Sequence, residues 1–458
     1  MTSEPALLTI ADARDAIDRG QLSALELTES VLRRIERMDG ELGAYLRVDS
    51  DAALEQARAL DDQADEHLPL KGIPVCVKDL IDVAGVPTTA GSATWRRTPG
   101  RDAAAVASLR RAGAVIVGKG HTNEFAYGID GKNQHFRACR NPYDPARLAG
   151  GSSSGPAVAT AAGTALAGLG TDTTGSIRVP ASLCGLVGIR PTPDRIPISG
   201  FVPLAWSYDT VGPLARTVAD AAICFEALTD ASGVMGRAGP PEHSLGDRDL
   251  RGNRIGVVEQ LVQGVEPYVE SGVRDTVKRL EAEGAEVSAV DFERLGHANA
   301  IHQIVQHAEA AQAHAPWFEA QYEYYSEPVR LRLEVGRLLP ASAYLTAQQA
   351  RRLLIDEAAK KMERLDALLA PATPCIAPFH DSDDVTIRGV TQDLRSALLS
   401  CVLAPSELAC PVVSVPIGSH QGLPFGMQII GKPMAEPLLL SIASVCERRS
   451  PPELARPD

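Results

Sequence analysis

The chain has 458 residues, and its 45 Lys and Arg against 58 Asp and Glu give a formal charge of −13. This acidic balance argues against direct nucleic-acid binding, because phosphate contacts need clustered cations. Hydrophobic residues make up 45% and charged residues 22% of the chain, which is typical of a folded globular protein and excludes a disordered one.

The N-terminus and the cysteines indicate where such a protein works. Asp12, Asp15 and Asp18 interrupt the early sequence, which also lacks a basic stretch, so no signal peptide is predicted. Residues 157–169 are apolar but shorter than the roughly 20 residues of a membrane span, and we predict a buried helix there. The eight cysteines form no Cys-x-x-Cys spacing. We therefore expect a cytoplasmic protein with reduced thiols and no membrane association.

The first sixty residues predict helices. Residues 23–26 form a capping-box pattern, and apolar residues from Leu25 to Ile35 recur at helical spacing. Residues 49–61 predict a second helix. From residue 72 onward the pattern changes, because strand and helix signals begin to alternate.

That alternation is typical of an α/β fold. A β-branched run covers residues 72–78, a helical pattern covers 102–112, and a buried strand pattern covers 114–117. Residues 230–253 are rich in Gly, Pro and charge and predict an exposed connection. The elements predicted after it are strand Arg254–Val258, helix 268–283, strand Glu286–Val290 and a hairpin over 412–430.

Two segments rich in Gly and Ser occur within residues 148–193. Residues 150–155 precede the predicted helix, and residues 170–178 follow it. Small residues let backbone amides approach a ligand closely, and a helix that begins after such a loop directs unpaired N–H groups at negative charge. Such runs are also typical of flexible loops.

Two motif matches near these segments lack the context that they need. Residues 151–155 fit G-x-S-x-G, which would make Ser153 a nucleophile on a strand-to-helix turn. The prolines in residues 141–145 oppose a strand there, and the histidines that could complete a triad are predicted to be mostly solvated residues of one helix: His297, His302, His307 and His314. Residues 113–119 match a P-loop until Gly120 stands where Ser or Thr should bind magnesium.

A third interpretation joins the serine segments to the lysine-bearing strand. The chain resembles the amidase signature family in the order and spacing of five segments: residues 72–79 (GIPVCVKD), 88–92 (TTAGS), 150–155 (GGSSSG), 170–193, which begins GTDTTGSIR, and 209–213 (DTVGP). The similarity resumes at residues 366–374 and 408–433. The resemblance implies an α/β fold whose central mixed β-sheet is covered by helices on both faces. It also implies an N-terminal helical segment, 1–65, packed on a signature domain, 66–450, with a variable portion at about 230–350.

The resemblance further implies a Lys–cis-Ser–Ser triad, and the matching residues are Lys78, Ser152 and Ser176. Ser176 would be the nucleophile, and Ser152, after a cis peptide bond from Gly151, would relay its proton to Lys78. A lysine titrates near 10.4, so burial must lower its pKa by roughly 2–3 units for work near neutrality.

Other residues surround this triad. The oxyanion would be held by backbone N–H groups of Thr173, Thr174, Gly175 and Ser176. The family commonly has Gly in place of Thr174, which leaves the shape of the acyl pocket open. The residues expected to support the loops are Ser154, Asp172 and Arg178. Those expected to line the substrate pocket are Tyr127, Gly128, Trp206 and Trp317.

The expected function is that of a serine amidohydrolase that needs no metal or organic cofactor. Its substrate would be a small amide, anilide or carbamate (urethane), and esterase activity is compatible with the same chemistry. The alternative is the A subunit of a glutamyl-tRNA amidotransferase, which releases ammonia from glutamine for a partner. No arginine that must bind a glutamine α-carboxylate is identified in residues 230–350, and the aromatic stretch 317–325 indicates a more apolar group. A homodimer is compatible with either function.

Overall fold

The computed structural model describes residues 4–63, 68–229 and 249–447. The α-helices among them are α1 Ile10–Asp18, α2 Ala24–Leu42, α3 Ser50–Asp61, α4 Ala104–Arg111, α5 Ser154–Ala161, α6 Arg178–Leu183, α7 Val218–Thr229, α8 Glu259–Val262, α9 Pro267–Ala282, α10 Ala298–His314, α11 Glu327–Leu338, α12 Ala341–Met362, α13 Leu394–Ser400, α14 Leu403–Glu407 and α15 Glu436–Cys446. The strands are β1 Tyr45–Val48, β2 Pro74–Lys78, β3 Val115–Gly120, β4 Ala167–Asp172, β5 Val187–Arg190, β6 Thr210–Ala215, β7 Arg254–Val258, β8 Glu286–Val290, β9 Ala367–Pro371, β10 Asp384–Ile387, β11 Val390–Asp393, β12 Val412–His420 and β13 Leu423–Gly431.

One mixed sheet of eleven strands runs through the molecule in the order β1-β3-β2-β4-β6-β5-β12-β13-β9-β7-β8. Strand β2 pairs in parallel with both β3 and β4, and β7 pairs in parallel with β8 and β9. The remaining ladders of this sheet are antiparallel. Strands β10 and β11 form a separate ribbon.

Successive residues of the long strands enter different hydrophobic clusters, because side chains alternate across a sheet. In β9, Leu369 belongs to the main cluster, which includes Val273 of α9, whereas Leu368 belongs to a second cluster with Leu354 of α12. Helices therefore cover both faces of the sheet. The predicted α/β fold with a central mixed sheet is confirmed.

Some of the predicted helices and strands are confirmed and one is wrong. The bounds of β7 and β8 and the hairpin formed by β12 and β13 are confirmed. The buried helix predicted over 157–169 is wrong in its second half, because α5 ends at Ala161 and β4 begins at Ala167. Small residues suit this strand, since a Cβ on Gly168 would lie 2.7 Å from the Pro156 carbonyl oxygen. The exposed connection predicted over 230–253 falls mostly on residues 230–248, which lie outside the described residues.

This topology brings the predicted chemical segments together. Because β2 and β4 are parallel neighbours, with Val77 opposite Leu169, their carboxyl ends meet at one edge of the sheet. Lys78 ends β2 and Asp172 ends β4, and the loops before α5 and α6 lie at the same edge.

Candidate active site

Lys78 lies at the centre of this edge and is fully buried. Its Nζ donates hydrogen bonds to Ser152 Oγ and to Thr171 Oγ1, both at 2.7 Å. Burial lowers the pKa of Lys78 to about 7, although the negative charges of Asp172 and Asp209 favour its protonated form. A lysine with this pKa is partly neutral at physiological pH and can accept a proton.

A second buried lysine on the next strand provides a contrast. Lys119 Nζ lies 2.9 Å from Asp79 Oδ1, and both side chains are almost completely buried. Lys119 also donates to Thr88 Oγ1 at 3.0 Å. Lys119 is thus paired with a carboxylate, whereas the hydrogen bonds of Lys78 among the described residues go to hydroxyl groups. Of these two buried lysines, Lys78 is the one with a lowered pKa and is suited to act as a base.

The loop before α5, residues 150–153, places Ser152 against Lys78, whereas the hydroxyl groups of Ser153 and Ser154 form hydrogen bonds elsewhere. The Gly151–Ser152 peptide bond is cis. Ser153 is fully buried, and its Oγ donates to the Thr171 carbonyl at 3.0 Å and accepts from the Thr171 N–H at 3.2 Å. Ser154 Oγ lies 2.9 Å from His121 Nδ1. No strand leads into this loop among the described residues 141–153, so the nucleophile-elbow interpretation lacks its structural context.

Ser176 stands on the facing loop, where its carbonyl accepts a hydrogen bond from the Ser153 N–H at 3.1 Å. Three of the predicted oxyanion donors, the N–H groups of Thr173, Thr174 and Ser176, donate to no other residue in the described part of the chain. The fourth differs from the prediction. The Gly175 N–H donates to Asp172 Oδ1 at 2.7 Å, so it is already satisfied.

A buried cluster of charged side chains holds the loop between β4 and α6 that carries Ser176. Asp172 Oδ2 accepts from Arg178 Nε at 3.0 Å, and Asp172 Oδ1 lies 3.1 Å from Arg190 Nη1, with all three side chains fully buried. Burial alone would raise the pKa of Asp172, but the two guanidinium groups hold it well below its usual range. Sequence reasoning missed Arg190, although it lies within the conspicuous segment 170–193.

Thr174 is held by α10 through a network that the sequence did not indicate. Its Oγ1 lies 2.7 Å from His302 Nε2 and accepts from Gln306 Nε2 at 3.0 Å. His302 Nδ1 in turn lies 2.8 Å from Glu407 Oε1. The expectation that the histidines of this helix are mostly solvated is therefore wrong for His302 and His314, which are both buried.

A narrow cavity of about 10 Å³, room for about one water molecule, opens beside Ser176. Its walls are Ala126, Tyr127, Gly128, Ile129, Thr173, Thr174, Ser176, Leu204, Gln306, Arg395 and Leu399. Gly128 fits closely here, since a Cβ would lie 2.3 Å from Asn123 Nδ2.

The two predicted tryptophans are not part of this wall. Trp206 is 61% exposed. The Trp317 ring lies 5.8 Å from the Trp95 ring at an angle of 41°, in an aromatic cluster that includes Phe125 and Tyr325. Because they are large and apolar, tryptophans suggest a pocket, but here one is at the surface and the other contributes to packing. Sequence reasoning also missed Gln306, Arg395 and Thr171.

Among the described residues 4–63, 68–229 and 249–447, no helix is long and apolar enough to cross a membrane. No group of three or more His, Cys, Asp or Glu side chains in them is arranged to hold a metal ion.

Comparison with known proteins places this geometry in a family. A family model described as Amidase matches residues 26–440. The chain belongs to the amidase signature family. The A subunit of the glutamyl-tRNA(Gln) amidotransferase of Roseiflexus sp. (strain RS-1) is 36% identical over 475 residues, covering 96% of each chain.

Solved structures of the family superimpose over nearly the whole chain. One described as an amidase has a TM-score of 0.89 at 33% identity and covers 96% of this chain and 100% of its own. The peptide amidase of Stenotrophomonas maltophilia has a TM-score of 0.82 at 29% identity, covering 98% and 99%. The predicted family is confirmed, and with it the class of amidohydrolases that act on carbon–nitrogen bonds.

Proposed function

We propose that this amidohydrolase acts alone on a small amide, anilide or carbamate through an acyl-enzyme on Ser176. The observation that carries the proposal is the 2.7 Å hydrogen bond between Ser152 and a buried Lys78 whose pKa is about 7. This pair supplies the base that an unactivated serine hydroxyl needs.

The proposed reaction uses the same groups twice. Neutral Lys78 takes a proton from Ser152 while Ser152 takes one from Ser176, whose Oγ attacks the carbonyl carbon. The resulting oxyanion accepts hydrogen bonds from the N–H groups of Thr173, Thr174 and Ser176. The proton returns through Ser152 to the departing nitrogen as the C–N bond breaks. The same relay then takes a proton from a water molecule, which attacks the acyl carbon and hydrolyses the ester.

The second candidate is a glutaminase component that works in an assembly, and the 36% identity to an amidotransferase of that type favours it. Glutamine would present an α-ammonium group to the cavity. Among the described residues, the cavity wall contains no Asp or Glu to bind that ammonium, and four of its side chains are aliphatic: Ala126, Ile129, Leu204 and Leu399. These features support the stand-alone hydrolase.

Two serine variants test the nucleophile. Ser176→Ala should abolish hydrolysis of a small amide and acyl-enzyme formation, detected by mass spectrometry, while the circular dichroism spectrum stays unchanged. Ser153→Ala is the matched control, because Ser153 Oγ only bridges backbone atoms of Thr171. If Ser176→Ala keeps a tenth of the wild-type kcat, Ser176 is not the nucleophile.

The choice between the two functions needs the purified chain alone. We expect it to release ammonia or amine from simple amides or aryl carbamates without any added protein. If the chain instead hydrolyses glutamine but no other amide, and does so only after a partner protein is added, the amidotransferase function is favoured.

A further inference from the structure

A second cavity, of about 400 Å³, opens at the opposite edge of the sheet from the loop of Ser176. Arg190 contacts Asp172 beside that loop and pairs in the sheet with Val412, the first residue of β12. His420, in the wall of the second cavity, is the last residue of β12, and the strand between them runs for about 25 Å. Cavities of this size hold small molecules, so the chemistry of the wall indicates a class of ligand.

The segments that form this second cavity are fixed to one another through their backbones. The Leu148 N–H donates to the Pro378 carbonyl at 2.9 Å, which holds the segment before the Ser152 loop against the segment after β9. The Glu266 N–H donates to the Pro374 carbonyl at 2.9 Å, which holds the start of α9 against the same segment. The cavity is therefore preformed.

Arg147 presents a hydrogen-bond donor to this cavity. The side chain is largely buried, and its guanidinium carbon lies 4.0 Å from the centre of the Phe379 ring. Its Nε donates to Asp144 Oδ2 at 3.0 Å and its Nη1 to the Ala377 carbonyl at 2.8 Å. Nη2 donates to no residue in the described part of the chain, so its N–H groups are left for a ligand.

The hydroxyl of Tyr268 is a second donor in the wall. It accepts from the Ile376 N–H at 3.0 Å, and its own hydrogen has no acceptor among residues 4–63, 68–229 and 249–447. The ring is held in place by His420, on which it stacks at 4.1 Å and 5°. Burial raises the pKa of Tyr268, so the hydroxyl keeps its proton and can donate while it accepts.

A half-buried carboxylate, that of Glu266, lies in the same wall. Its Oε1 accepts from the backbone N–H of Arg388 at 2.5 Å, but its Oε2 has no partner among the described residues. Glu266 and Arg147 do not form an ion pair with each other, although both line this cavity. Two opposite charges that are held apart in one cavity complement a ligand that carries both charges.

We propose that this cavity binds a free α-amino acid with an aromatic side chain. Its carboxylate accepts hydrogen bonds from Arg147 Nη2 and the Tyr268 hydroxyl, and its ammonium group donates to Glu266 Oε2. A free amino acid carries both charges next to one carbon atom, whereas either end of a peptide carries only one of them. The site does not depend on the proposed function, because it shares no residue with the proposed active site.

The remaining wall favours an aromatic side chain. Ile376, Pro378 and Val385 supply apolar surface. Phe379 is 56% exposed although it is large and apolar. An exposed aromatic ring in a cavity wall offers a surface on which the ring of a ligand can pack.

Three matched probes test the inference: L-phenylalanine, phenylpropionate, which lacks the ammonium group, and phenethylamine, which lacks the carboxylate. Calorimetric titration of the full chain should give an affinity for L-phenylalanine about tenfold higher than for either analogue, because each analogue loses a charge-assisted hydrogen bond.

Glu266→Gln separates the two ends of the ligand, and its amide oxygen can still accept from the Arg388 N–H. The affinity for L-phenylalanine should fall about tenfold, while that for phenylpropionate stays unchanged. Arg147→Met should have the opposite selectivity, with a loss of about tenfold for L-phenylalanine and none for phenethylamine. Tyr268→Phe keeps the ring on His420 and should show the selectivity of Arg147→Met with a loss of about threefold, which covers a failure of Arg147→Met to fold.

Glu270→Gln is the matched control. Glu270 lies one turn further along α9, pairs with Arg274 at 3.5 Å and also with Arg388, and is outside the cavity wall. This variant should keep the wild-type affinity for all three probes. The inference is overturned if millimolar L-phenylalanine gives no binding, if it binds no better than both analogues, or if Glu270→Gln weakens it as much as Glu266→Gln does.

Discussion

Single side chains differ in chemistry here because of what contacts them. Lys78 and Lys119 are both buried on adjacent parallel strands, yet one contacts two hydroxyl groups and the other contacts a carboxylate. Burial lowers the pKa of Lys78, and Lys119 on the neighbouring strand is paired with Asp79. A lysine suited to act as a base and a lysine held in an ion pair thus lie on adjacent strands.

The pH dependence of activity follows from Lys78. Its ammonium form cannot accept a proton, and its pKa is lowered to about 7. The fraction of neutral lysine therefore rises as pH rises through 7, and kcat/KM should increase through that region and level off above it. The pH–rate profile of the purified enzyme with one good amide checks this.

Lys78→Arg is the informative companion variant, because a guanidinium group stays protonated and cannot serve as the base. It should lose several orders of magnitude in kcat/KM. A flat wild-type profile from pH 6 to 10, with an active Lys78→Arg enzyme, would leave Lys78 with an electrostatic role only.

Asp172 should matter for stability as much as for activity. Asp172→Asn leaves Arg178 and Arg190 buried without their counter-charge, and breaking a buried pair in this way costs about 3–5 kcal/mol of the free energy of unfolding. Urea denaturation measures the loss. The control is Asp356→Asn at the exposed Arg352 pair, which should cost at most about 1 kcal/mol. Equal losses in the two variants would contradict a structural role for the cluster.

At the level of elements, helix α10 supports the loop that carries Thr174. His302 can donate from Nδ1 to Glu407 and accept at Nε2 from the Thr174 hydroxyl, which itself accepts from Gln306. The Thr174 side chain is thus tied to a helix outside the segments of the proposed site. The hydroxyl group of Thr174 therefore holds its loop against α10, in addition to any effect of the side chain on the width of the pocket.

Thr174→Val tests this support, because valine keeps the shape and removes the hydroxyl. His302 and Gln306 then lose a buried partner, so the free energy of unfolding should fall by about 1–3 kcal/mol and kcat should fall with it. Thr174→Ser keeps the hydroxyl and should retain most of both. Thermal unfolding and steady-state kinetics are the measurements. A Thr174→Val enzyme as stable and active as wild type would show that the network is incidental.

The same elements show what a sequence can predict. The bounds of β7 and β8 follow from the local sequence pattern, and each motif behind the family resemblance is a continuous stretch of the chain. Arg395 lies more than two hundred residues from Ser176, and only the eleven-stranded topology brings it to the cavity. His302 and Glu407 likewise meet across 105 residues. Their partners have no local signal, so their roles could not be predicted from pattern.

At the scale of the whole molecule, the sheet separates two large hydrophobic clusters, and every cysteine is buried in the structure. The eight thiols are all free, and they are distributed from β2 to α15. Their distribution makes them reporters on the opening of the fold as a whole.

The last prediction concerns these thiols. Burial raises their pKa values, to about 12 for Cys375, Cys401, Cys410 and Cys446, so few thiolates form at pH 8. A thiol reagent such as 5,5′-dithiobis(2-nitrobenzoic acid) should label fewer than one cysteine per native chain within minutes and all eight in denaturant. Because α15 packs on β12 and β13, labelling of Cys446 should be as slow as that of Cys76 on the interior strand β2. Rapid labelling of Cys446 alone, located by mass spectrometry, would show that α15 opens independently of the core.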